Sequence, residues 1–499
     1  MRHLNHSRYA IHRFHINQND IAIQSQREKI EDSLLAVTPD MPEETISLQL
    51  ARYFNALHSD QVPQDVIEAA KLHIVDSLGC LFAGTRLEPG KLGYDLAIAM
   101  SGISSEARST LFATTQRVSY LDAVQAMSVA AHCGEMDDIH PGAGTCIGAM
   151  IVPALLTMAE KFGGGGRGFL QATVIGYETV IRVGLSIDAP KLFARGWWPS
   201  TVCGAFGVAA AGANFLGWSA DQTANALGIT SLHAGGMITG GGEGATARHL
   251  IFGCVAQSGA LALLAAEKGF TGPKRAFEDP RGFCLTLCNE PRWDYLRDFG
   301  QFYLPEVAFK PYPCARQLHA GVEALLHLIK TGDIAPERID SIELWVPTPN
   351  VAMVDRPSAP ASHAAALGSG QYVMAVTAVR GKMDLVSFDE NFLCSVPVRE
   401  LLAKVKVTGA TELDKHFPRH WPGRAAVKTS DGRSWMHEII IPKGERGNPM
   451  STPEIEEKFC SLAGPLIGDP QARAVIDEVR SLDGRDSVEP LISSLRLSR

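Results

Sequence analysis

The sequence predicts a mainly α-helical protein with a smaller α+β part. Apolar residues recur every three to four positions along most of the first 300 residues, whereas strand-like alternation is confined to about residues 338–442. A chain of 499 residues is also too long for one ordinary core. We therefore expect a flexible N-terminal extension (1–42), a large helical domain (43–304), an α+β lid domain (305–448) and C-terminal helices (449–499) that pack back on the helical domain.

The helices can be located from their apolar spacing and their end signals. An apolar stripe predicts a first helix over 45–57, and Pro63 and Gly84 mark the start and end of a second. Similar spacing predicts helices over 118–133, 147–162 and 255–268. The run 203–216 is almost entirely small and apolar, which predicts a buried central helix that its neighbours approach closely.

Strands are predicted only in the second part of the chain. Ile342, Leu344 and Val346 alternate with other residues and so share one face of a strand. Asp431-Gly432 separates two alternating runs and predicts a hairpin turn. Helical spacing returns from Pro453, which is the basis for the C-terminal helices.

Composition favours a cytoplasmic enzyme. The net charge is −8 without a long basic block, so nucleic acid is not an expected partner. The ten cysteines are scattered without a CxxC pair, so we expect reduced thiols rather than disulfides or a zinc site. The first 40 residues lack the apolar segment of a signal peptide, although their Arg-bearing start leaves mitochondrial targeting as a less favoured alternative. We see no run of about 18 apolar residues and expect no membrane span.

Four polar clusters interrupt the helical pattern, each with Gly or Pro and each next to a predicted helix start. They span residues 132–146, 195–201, 235–249 and 309–319. Helix N-termini offer free N–H groups and the positive end of the helix dipole. If these ends converge, they would form a site for an anion rich in carboxylates.

The first cluster, HCGEMDDIHPGAGTC, is open to three interpretations. Asp137 and Asp138 are adjacent and would raise each other's pKa if buried, and His140 is close enough to exchange a proton with them. A solvated helix cap is the alternative that spacing alone favours. A metal site is disfavoured, because Glu135, Asp138 and His140 do not share one face of a helix.

The third and fourth clusters supply candidate cations. Glycines 240–242 match no phosphate-binding motif, so a flexible loop at the active site or at a dimer contact is favoured over phosphate binding. Arg248 follows this loop and would pair with a carboxylate, unless it is a surface charge. Lys310 lies in an apolar, proline-rich segment, where it would be a base of lowered pKa, a carboxylate anchor or an extended surface lysine. His319, taken alone, is more often structural.

Several segments, taken in order, resemble the MmgE/PrpD family. The similar segments are AAKLHIVDSLGCLFAG, EMDDIHP followed by VPALLTMAE, CGAFGVAAAGANFLG, GCVAQSGALALLAAEKGFTGP, FKPYPCARQLHAGVEA and HEIIIPKGERGNPMSTPEIEEKF. They cover about residues 45–490. Long motifs in the same order are very improbable by chance.

The family includes 2-methylcitrate dehydratases, cis-aconitate decarboxylases and iminodisuccinate epimerases. The resemblance implies a homodimer whose active site lies between a helical domain and an α+β lid. It also implies chemistry without a metal or organic cofactor. In this chemistry a proton alpha to a carboxylate is removed, and then water or CO2 leaves or the carbon is reprotonated.

The sequence departs from the family at positions that the family uses for chemistry. Cys146 stands where relatives carry a His-Pro-Ser motif, Trp198 replaces the histidine of Gly-Trp-His-Pro, and Arg248 replaces a lysine. Met353 occupies the position of a tyrosine of the decarboxylases. The retained family residues are Asp137, Asp138, Lys310 and His319, with Glu135 in place of the first aspartate of the acidic motif.

We therefore expect a lyase or isomerase that acts on a small di- or tricarboxylate, with a dehydratase or decarboxylase favoured. The alternatives are an epimerase and a catalytically silent protein that binds a metabolite or a partner. The expected catalytic residues are Asp138, His140 and Lys310. The expected substrate-binding residues are Glu135, Asp137, Cys146, Trp198, Arg248, His249, Tyr312, Arg316 and His319. Because two family histidines are missing, dehydration of 2-methylcitrate should be slow, below about 1 s⁻¹.

Overall fold

The computed structural model describes residues 44–58, 60–102, 109–239 and 243–497, and Ile46–Arg499 forms one compact unit. Within the described residues, helices dominate and the larger of two sheets has four strands, so the predicted mainly helical class with an α+β part is confirmed. The predicted N-terminal extension (1–42) and the glycine run at 240–242 lie outside the described residues.

The first part of the unit is helical apart from one short ladder. Its elements are α1 (Ile46–Ala56), α2 (Gln64–Gly84), α3 (Glu88–Ser101), β1 (Ser109–Thr110), β2 (Arg117–Val118), α4 (Tyr120–His132), α5 (Gly148–Phe162), α6 (Gly166–Ser186), α7 (Ala189–Leu192), α8 (Pro199–Phe215), α9 (Ala220–Ser231), α10 (Ala247–Glu267), α11 (Phe283–Leu287) and α12 (Asp294–Arg297). All six helices predicted here are confirmed. The β1–β2 ladder was not expected, because two-residue strands are too short to show alternation.

The second part contains the four-stranded sheet and then the C-terminal helices. Its elements are α13 (His319–Gly332), β3 (Ile339–Val346), α14 (Val351–Val354), α15 (His363–Ala366), α16 (Gly370–Arg380), α17 (Glu390–Leu393), α18 (Val396–Leu402), β4 (Val405–Gly409), α19 (Thr411–Asp414), β5 (Gly423–Thr429), β6 (Ser434–Ile439), α20 (Thr452–Ile467), α21 (Asp469–Arg480) and α22 (Glu489–Ser494).

The sheet has the order β4-β3-β5-β6 and buries one face under helices. The β3–β4 pair is parallel and needs the long helical crossover of α14–α18, whereas β5 and β6 form the predicted antiparallel hairpin. Gly432 has a φ of +85° in the turn. Ile342, Leu344 and Val346 are all buried, so the predicted inner face of β3 is confirmed.

Two large hydrophobic cores, with a much smaller third cluster around Met136, hold this unit together. The first joins the helical part to the C-terminal helices, because Ile455 and Phe459 of α20 belong to the same buried cluster as residues of α2 and α8. The second lies between the sheet and helices α13 and α16. The limits of the predicted domains, at 304/305 and 448/449, stay predictions.

Helices α8 and α10 are both long and apolar, and they differ in exposure. Every residue of α8 from Pro199 to Ala213 is buried, which confirms the predicted central helix. A Cβ added to Gly207 would lie 2.4 Å from Val180 of α6, so the small residues do permit close packing. Among the described helices, α10 is long and apolar enough to cross a membrane by length and composition, and half of its most apolar stretch is buried inside the protein.

Candidate active site

All four polar clusters meet at one small cavity, which we call the inner cavity and which has a volume of about 50 Å³. Its polar lining consists of His132, Glu135, Cys146, Ser200, Arg248, Lys310, Arg316 and Gln317. Its larger apolar lining residues are Ile139, Phe193, Trp198, Ile238, Met353 and Trp421. The convergence that the sequence suggested is therefore present, and the cavity draws on both the helical part and the second part of the chain.

Backbone contacts fix the acidic motif against the segment that carries Lys310. After α4 ends at His132, the chain turns through Glu135, whose φ is +51°. Ile139 and Ala308 then exchange two backbone hydrogen bonds of 3.0 and 2.8 Å. Gly444 lies against the carbonyl oxygen of Phe309 so closely that an added Cβ would be 2.0 Å from it. The acidic motif and the segment that carries Lys310 thus run antiparallel to each other and are held side by side.

His132 and Asp137 form a buried pair at the cavity. Nδ1 of His132 lies 2.9 Å from Oδ2 of Asp137, and the imidazole stacks on Phe252 with a centroid distance of 3.5 Å. An ionised carboxylate can only accept, so Nδ1 is the donor. Nε2 has no hydrogen-bond partner among the described residues, since the nearest oxygen of Glu135 is 4.0 Å away. This geometry leaves Nε2 of His132 free to exchange a proton with a ligand.

Lys310 is a buried cation among acids and a thiol. Its Nζ lies 3.4 Å from Oδ1 of Asp137, 3.5 Å from Oε2 of Glu135 and 3.6 Å from Sγ of Cys146. Burial alone would lower the pKa of Lys310, but Asp137, Cys146 and Glu135 together raise it well above its usual range. The hypothesis that Lys310 is a base of lowered pKa is therefore wrong, because two carboxylates outweigh the desolvation of the ammonium group.

Cys146 lies in the cavity as a neutral thiol. Burial raises the pKa of its thiol well above the usual range, and Asp137 adds to this effect. Its backbone N–H donates to Oγ of Ser200 over 2.9 Å, which ties the acidic motif to the start of α8. The side chain contributes volume and a weak acceptor for Lys310 rather than a thiolate.

Glu135 joins two of the cations that line the cavity, Arg248 and Lys310. Its Oε1 pairs with Nη2 of Arg248, and its Oε2 faces Lys310. Burial alone would raise the pKa of Glu135, but Arg248, Lys310 and nearby histidines lower it well below its usual range. Arg248 in turn lies over the ring of Trp198, with the guanidinium carbon 5.3 Å from the ring centroid. Arg248 is therefore a carboxylate partner, and Trp198 supports it.

Asp138 lies behind the cavity and not in it. Its Oδ1 accepts from the backbone N–H groups of Ile147 and Gly148 at the start of α5, and its Oδ2 accepts from the hydroxyl of Tyr177 over 2.6 Å. Nδ1 of His73 is 2.8 Å from the same oxygen. Burial would raise the pKa of Asp138, but His73, Tyr177 and Gly148 lower it below its usual value.

These contacts correct the expected raised pKa of Asp138 and bear on its expected catalytic role. The pKa of Asp138 is lowered rather than raised, because its donors stabilise the carboxylate more than burial disfavours it. They also leave no oxygen of Asp138 free for a substrate. The arrangement favours a structural anchor for α5 over the expected catalytic role.

His140 faces a different space. It lines a larger cleft of about 780 Å³, the outer cleft, which also contains His420, Glu306 and Arg446. Its Nδ1 accepts from the backbone N–H of Ala143 over 3.0 Å, and burial lowers its pKa to about 4. His140 is thus neutral at neutral pH and is not brought together with Lys310. The geometry gives no support to its expected catalytic role.

Three more of the expected binding residues, Tyr312, Arg316 and His319, lie together. Nη2 of Arg316 pairs with Oε1 of Glu445 over 2.9 Å, while His319 lies 3.3 Å from Nη1 and 3.1 Å from the carbonyl oxygen of Cys314. Burial, followed by Arg316, lowers the pKa of His319 well below its usual range. His319 is therefore a neutral support for Arg316, and Tyr312 packs beside it outside the cavity lining.

His249 is buried next to the cavity. Its ring centroid is 5.5 Å from that of His132, and neither of its nitrogens has a hydrogen-bond partner among the described residues. Burial, followed by Arg248, lowers its pKa well below the usual range. His249 does not line the inner cavity, so it packs behind His132 as a neutral side chain.

Sequence reasoning missed His132 as a residue of the candidate site. His132 ends α4 and opens the first polar cluster five positions before Asp137, and that position could have drawn attention to it. Within the described residues, no group of three or more His, Cys, Asp or Glu side chains is arranged to hold a metal ion.

The fold and this cavity define a known class of protein. The family models described as MmgE/PrpD N-terminal domain and MmgE/PrpD C-terminal domain match residues 48–296 and 312–483, so the chain belongs to the MmgE/PrpD family.

Individual relatives are similar over nearly their whole length. The cis-aconitate decarboxylase-like protein oryM of Aspergillus oryzae is 26% identical over 92% of this chain and 99% of its own. A cis-aconitate decarboxylase of Aspergillus terreus is 25% identical, with 90% and 96% covered. Human cis-aconitate decarboxylase is 28% identical, with 91% and 95% covered.

Proposed function

We propose that the protein is a lyase that releases CO2 or water from a small di- or tricarboxylate without a metal or organic cofactor. The observation that carries the proposal is the buried His132–Asp137 pair, whose unpartnered Nε2 belongs to a cavity walled by Lys310 and Arg248. The relatives named cis-aconitate decarboxylase support it further. Decarboxylation of a cis-aconitate-type tricarboxylate is therefore the first reaction to test.

The cations would hold the substrate through its carboxylates. Lys310 is a buried ammonium group, and Arg248 has a planar fork that matches a carboxylate. In a small cavity lined by buried side chains, such charges also stabilise the negative charge that develops on substrate oxygens in the transition state. In this proposal Lys310 is an anchor and an electrostatic stabiliser, not a base.

His132 would move the proton. In a decarboxylation, the bond from carbon to the departing carboxylate breaks, its electron pair stays with the carbon skeleton, and a carbon atom gains a proton. In a dehydration, carbon loses its alpha proton, and the departing hydroxyl gains one. Histidine gives and takes protons near neutral pH, and the contact of Nδ1 with Asp137 would keep the ring in one orientation.

A substrate panel tests the proposal. Purified protein would be incubated in D2O with cis-aconitate, 2-methylcitrate, citrate and iminodisuccinate, and each reaction followed by proton NMR. Loss of CO2 or water with a new alkene signal would support a lyase. Exchange of an alpha proton alone would indicate an epimerase instead, and neither reaction with any substrate would contradict the proposal and favour a binding protein.

Two matched variants then test the site. His132→Asn and His140→Asn each remove one buried imidazole, the first from the inner cavity and the second from the outer cleft. We expect His132→Asn to lower kcat by roughly 10²–10⁴, the usual contribution of general acid–base catalysis. His140→Asn should lower it less than about tenfold, since it removes no proton-transfer group. A larger loss in His140→Asn would contradict this assignment.

We also infer a homodimer, as the family resemblance implies, and a cytoplasmic location, which the composition favours. Leu92, Leu96 and Met100 are exposed and share one face of α3, and an exposed apolar stripe of this kind is typical of a protein interface. Sedimentation velocity should give a dimer for the wild type and a shift toward monomer for Leu96→Arg. A wild type that is monomeric at micromolar concentration would contradict the inference.

A further inference from the structure

Glu135 already occupies the cations that a substrate carboxylate would need. Its two oxygens are divided between Nη2 of Arg248 and Nζ of Lys310, and its side chain is 7% exposed. A carboxylate of a ligand that bridged Arg248 and Lys310 would have to lie in the same place. A ligand carboxylate and the Glu135 carboxylate therefore compete for the same ion pairs with Arg248 and Lys310.

The size of the inner cavity leads to the same conclusion. Its volume of about 50 Å³ is close to the space of one or two water molecules. Sites for small molecules are usually of the order of 300–1,000 Å³. A di- or tricarboxylate is larger than this volume, and Glu135 is the lining residue whose carboxylate duplicates that of the ligand.

Unpartnered polar atoms belong to residues that line the same cavity. Nε of Arg248, Nε of Arg316 and Nε2 of His132 have no hydrogen-bond partner among the described residues. Arg316 and His132 are both buried, at 2% and 0% exposure. Because buried polar groups normally have partners, the two guanidinium donors are suited to the additional oxygens of a ligand with more than one carboxylate. Nε2 of His132 is an acceptor, since the ring donates through Nδ1 to Asp137.

The backbone at Glu135 shows that this position is constrained. Its φ of +51° lies in the left-handed region, which is unfavourable for a glutamate. The next carbonyl, that of Met136, accepts from Nζ of Lys458 over 2.7 Å, and Lys458 also pairs with Asp76. The backbone is thus held from behind, so displacement would involve the Glu135 side chain alone.

We propose that Glu135 is an internal counter-ion that fills the carboxylate subsite between Arg248 and Lys310 and is displaced when a di- or tricarboxylate binds. The inference rests on the proposed function, because it assumes that this cavity receives the substrate. Its consequence is that the wild type binds carboxylates more weakly than its cations alone would allow. The apparent association constant equals the intrinsic one multiplied by the fraction of molecules in which Glu135 has moved aside, so it falls when that fraction is small.

Binding measurements by calorimetry with tricarballylate as the probe test this inference. Glu135→Gln removes the competing charge, and Glu135→Asp shortens the side chain by one methylene. Both variants should bind the probe more tightly than the wild type, Glu135→Gln by at least about tenfold. Glu160→Gln is the matched control, because Glu160 is also a shielded glutamate that pairs with an arginine, Arg496, but does not line the cavity.

The outcomes separate this inference from the proposed function. If Lys310→Met weakens binding while folded Glu135→Gln and Glu135→Asp bind no more tightly than the wild type, the counter-ion inference is wrong and the carboxylate site stands. If the probe binds equally to Lys310→Met and the wild type, or to none of the variants, the inner cavity is not a carboxylate site and both are refuted. The control Glu160→Gln should bind the probe as the wild type does, within about twofold. A tenfold gain in that control would also refute the inference, because removing a negative charge outside the inner cavity would then have the same effect as removing Glu135.

Discussion

Two adjacent aspartates in this protein have the same kind of partner and different surroundings. Asp137 and Asp138 are both buried, and each lies beside a histidine nitrogen, at 2.9 Å from His132 and 2.8 Å from His73. Asp137 contacts His132, which lines the inner cavity. Asp138 instead accepts hydrogen bonds from Tyr177 and from backbone N–H groups at the start of α5. A buried carboxylate–histidine pair is thus a candidate for chemistry where the histidine lines a cavity, as His132 does and His73 does not.

The two buried lysines near the acidic motif repeat this difference. Lys310 faces the side chains of Glu135 and Asp137 from the cavity side. Lys458 lies on the opposite side, where it pairs with Asp76 over 2.6 Å and donates to the carbonyl oxygen of Met136. The motif therefore has a front, which can meet a ligand, and a back, which fixes its position.

The largest effect is expected for Asp137→Asn at the front of the motif. The asparagine amide can donate to Nδ1 of His132 and so favours the tautomer with the proton on Nε2, which is then unable to accept one. We expect kcat on the substrate identified by the panel to fall by roughly 10²–10⁴ while the circular dichroism spectrum is retained. A folded Asp137→Asn protein with wild-type kcat would show that the front of the motif is not the catalytic side.

The next largest effect is expected for Asp138→Asn at the back. This change removes a buried carboxylate that two backbone N–H groups, Tyr177 and His73 all approach. The free energy of unfolding, measured by urea denaturation at pH 7, should fall by about 3–5 kcal/mol. Asp477→Asn is the control, because Asp477 is 72% exposed and should change stability by less than about 0.5 kcal/mol. A loss in Asp138→Asn as small as in the control would contradict a structural role.

The front and the back of the motif could not be told apart from the sequence. Helix spacing, the β3 face and the hairpin were predicted because each depends on a local pattern, and the four clusters could be recognised because each adjoins a helix start. The lowered pKa of Asp138 and its place behind the cavity depend on His73 and Tyr177, which are remote in the chain. The raised pKa of Lys310 likewise depends on Asp137, which is 173 positions away.

The sequence does not reveal for a related reason that His132 lines the inner cavity. Its contact with Asp137 is local, but its stacking on Phe252 and its free Nε2 depend on how α10 packs against α4. His140 was preferred because it stands directly beside the aspartates, yet the antiparallel contact between His140 and Thr145 turns that segment toward the outer cleft. Proximity in sequence was therefore a poor guide to which histidine shares a cavity with Lys310.

The smallest effect concerns the pH dependence that His140 gives to stability. Burial lowers its pKa to about 4 in the folded protein, whereas an unfolded histidine titrates near about 6.5. Between these values the unfolded state binds the proton and the folded state does not, so stability is lost as the pH falls from about 6.5 toward 4. At pH 5 the loss from this residue is about 2 kcal/mol relative to neutral pH. His140→Asn should therefore lose about 2 kcal/mol less than the wild type between pH 7 and pH 5 in urea denaturation, because contributions from other buried histidines are the same in both proteins. An equal loss in the two proteins would mean that His140 is not held neutral in the outer cleft, and its exclusion from proton chemistry would then have to be reconsidered.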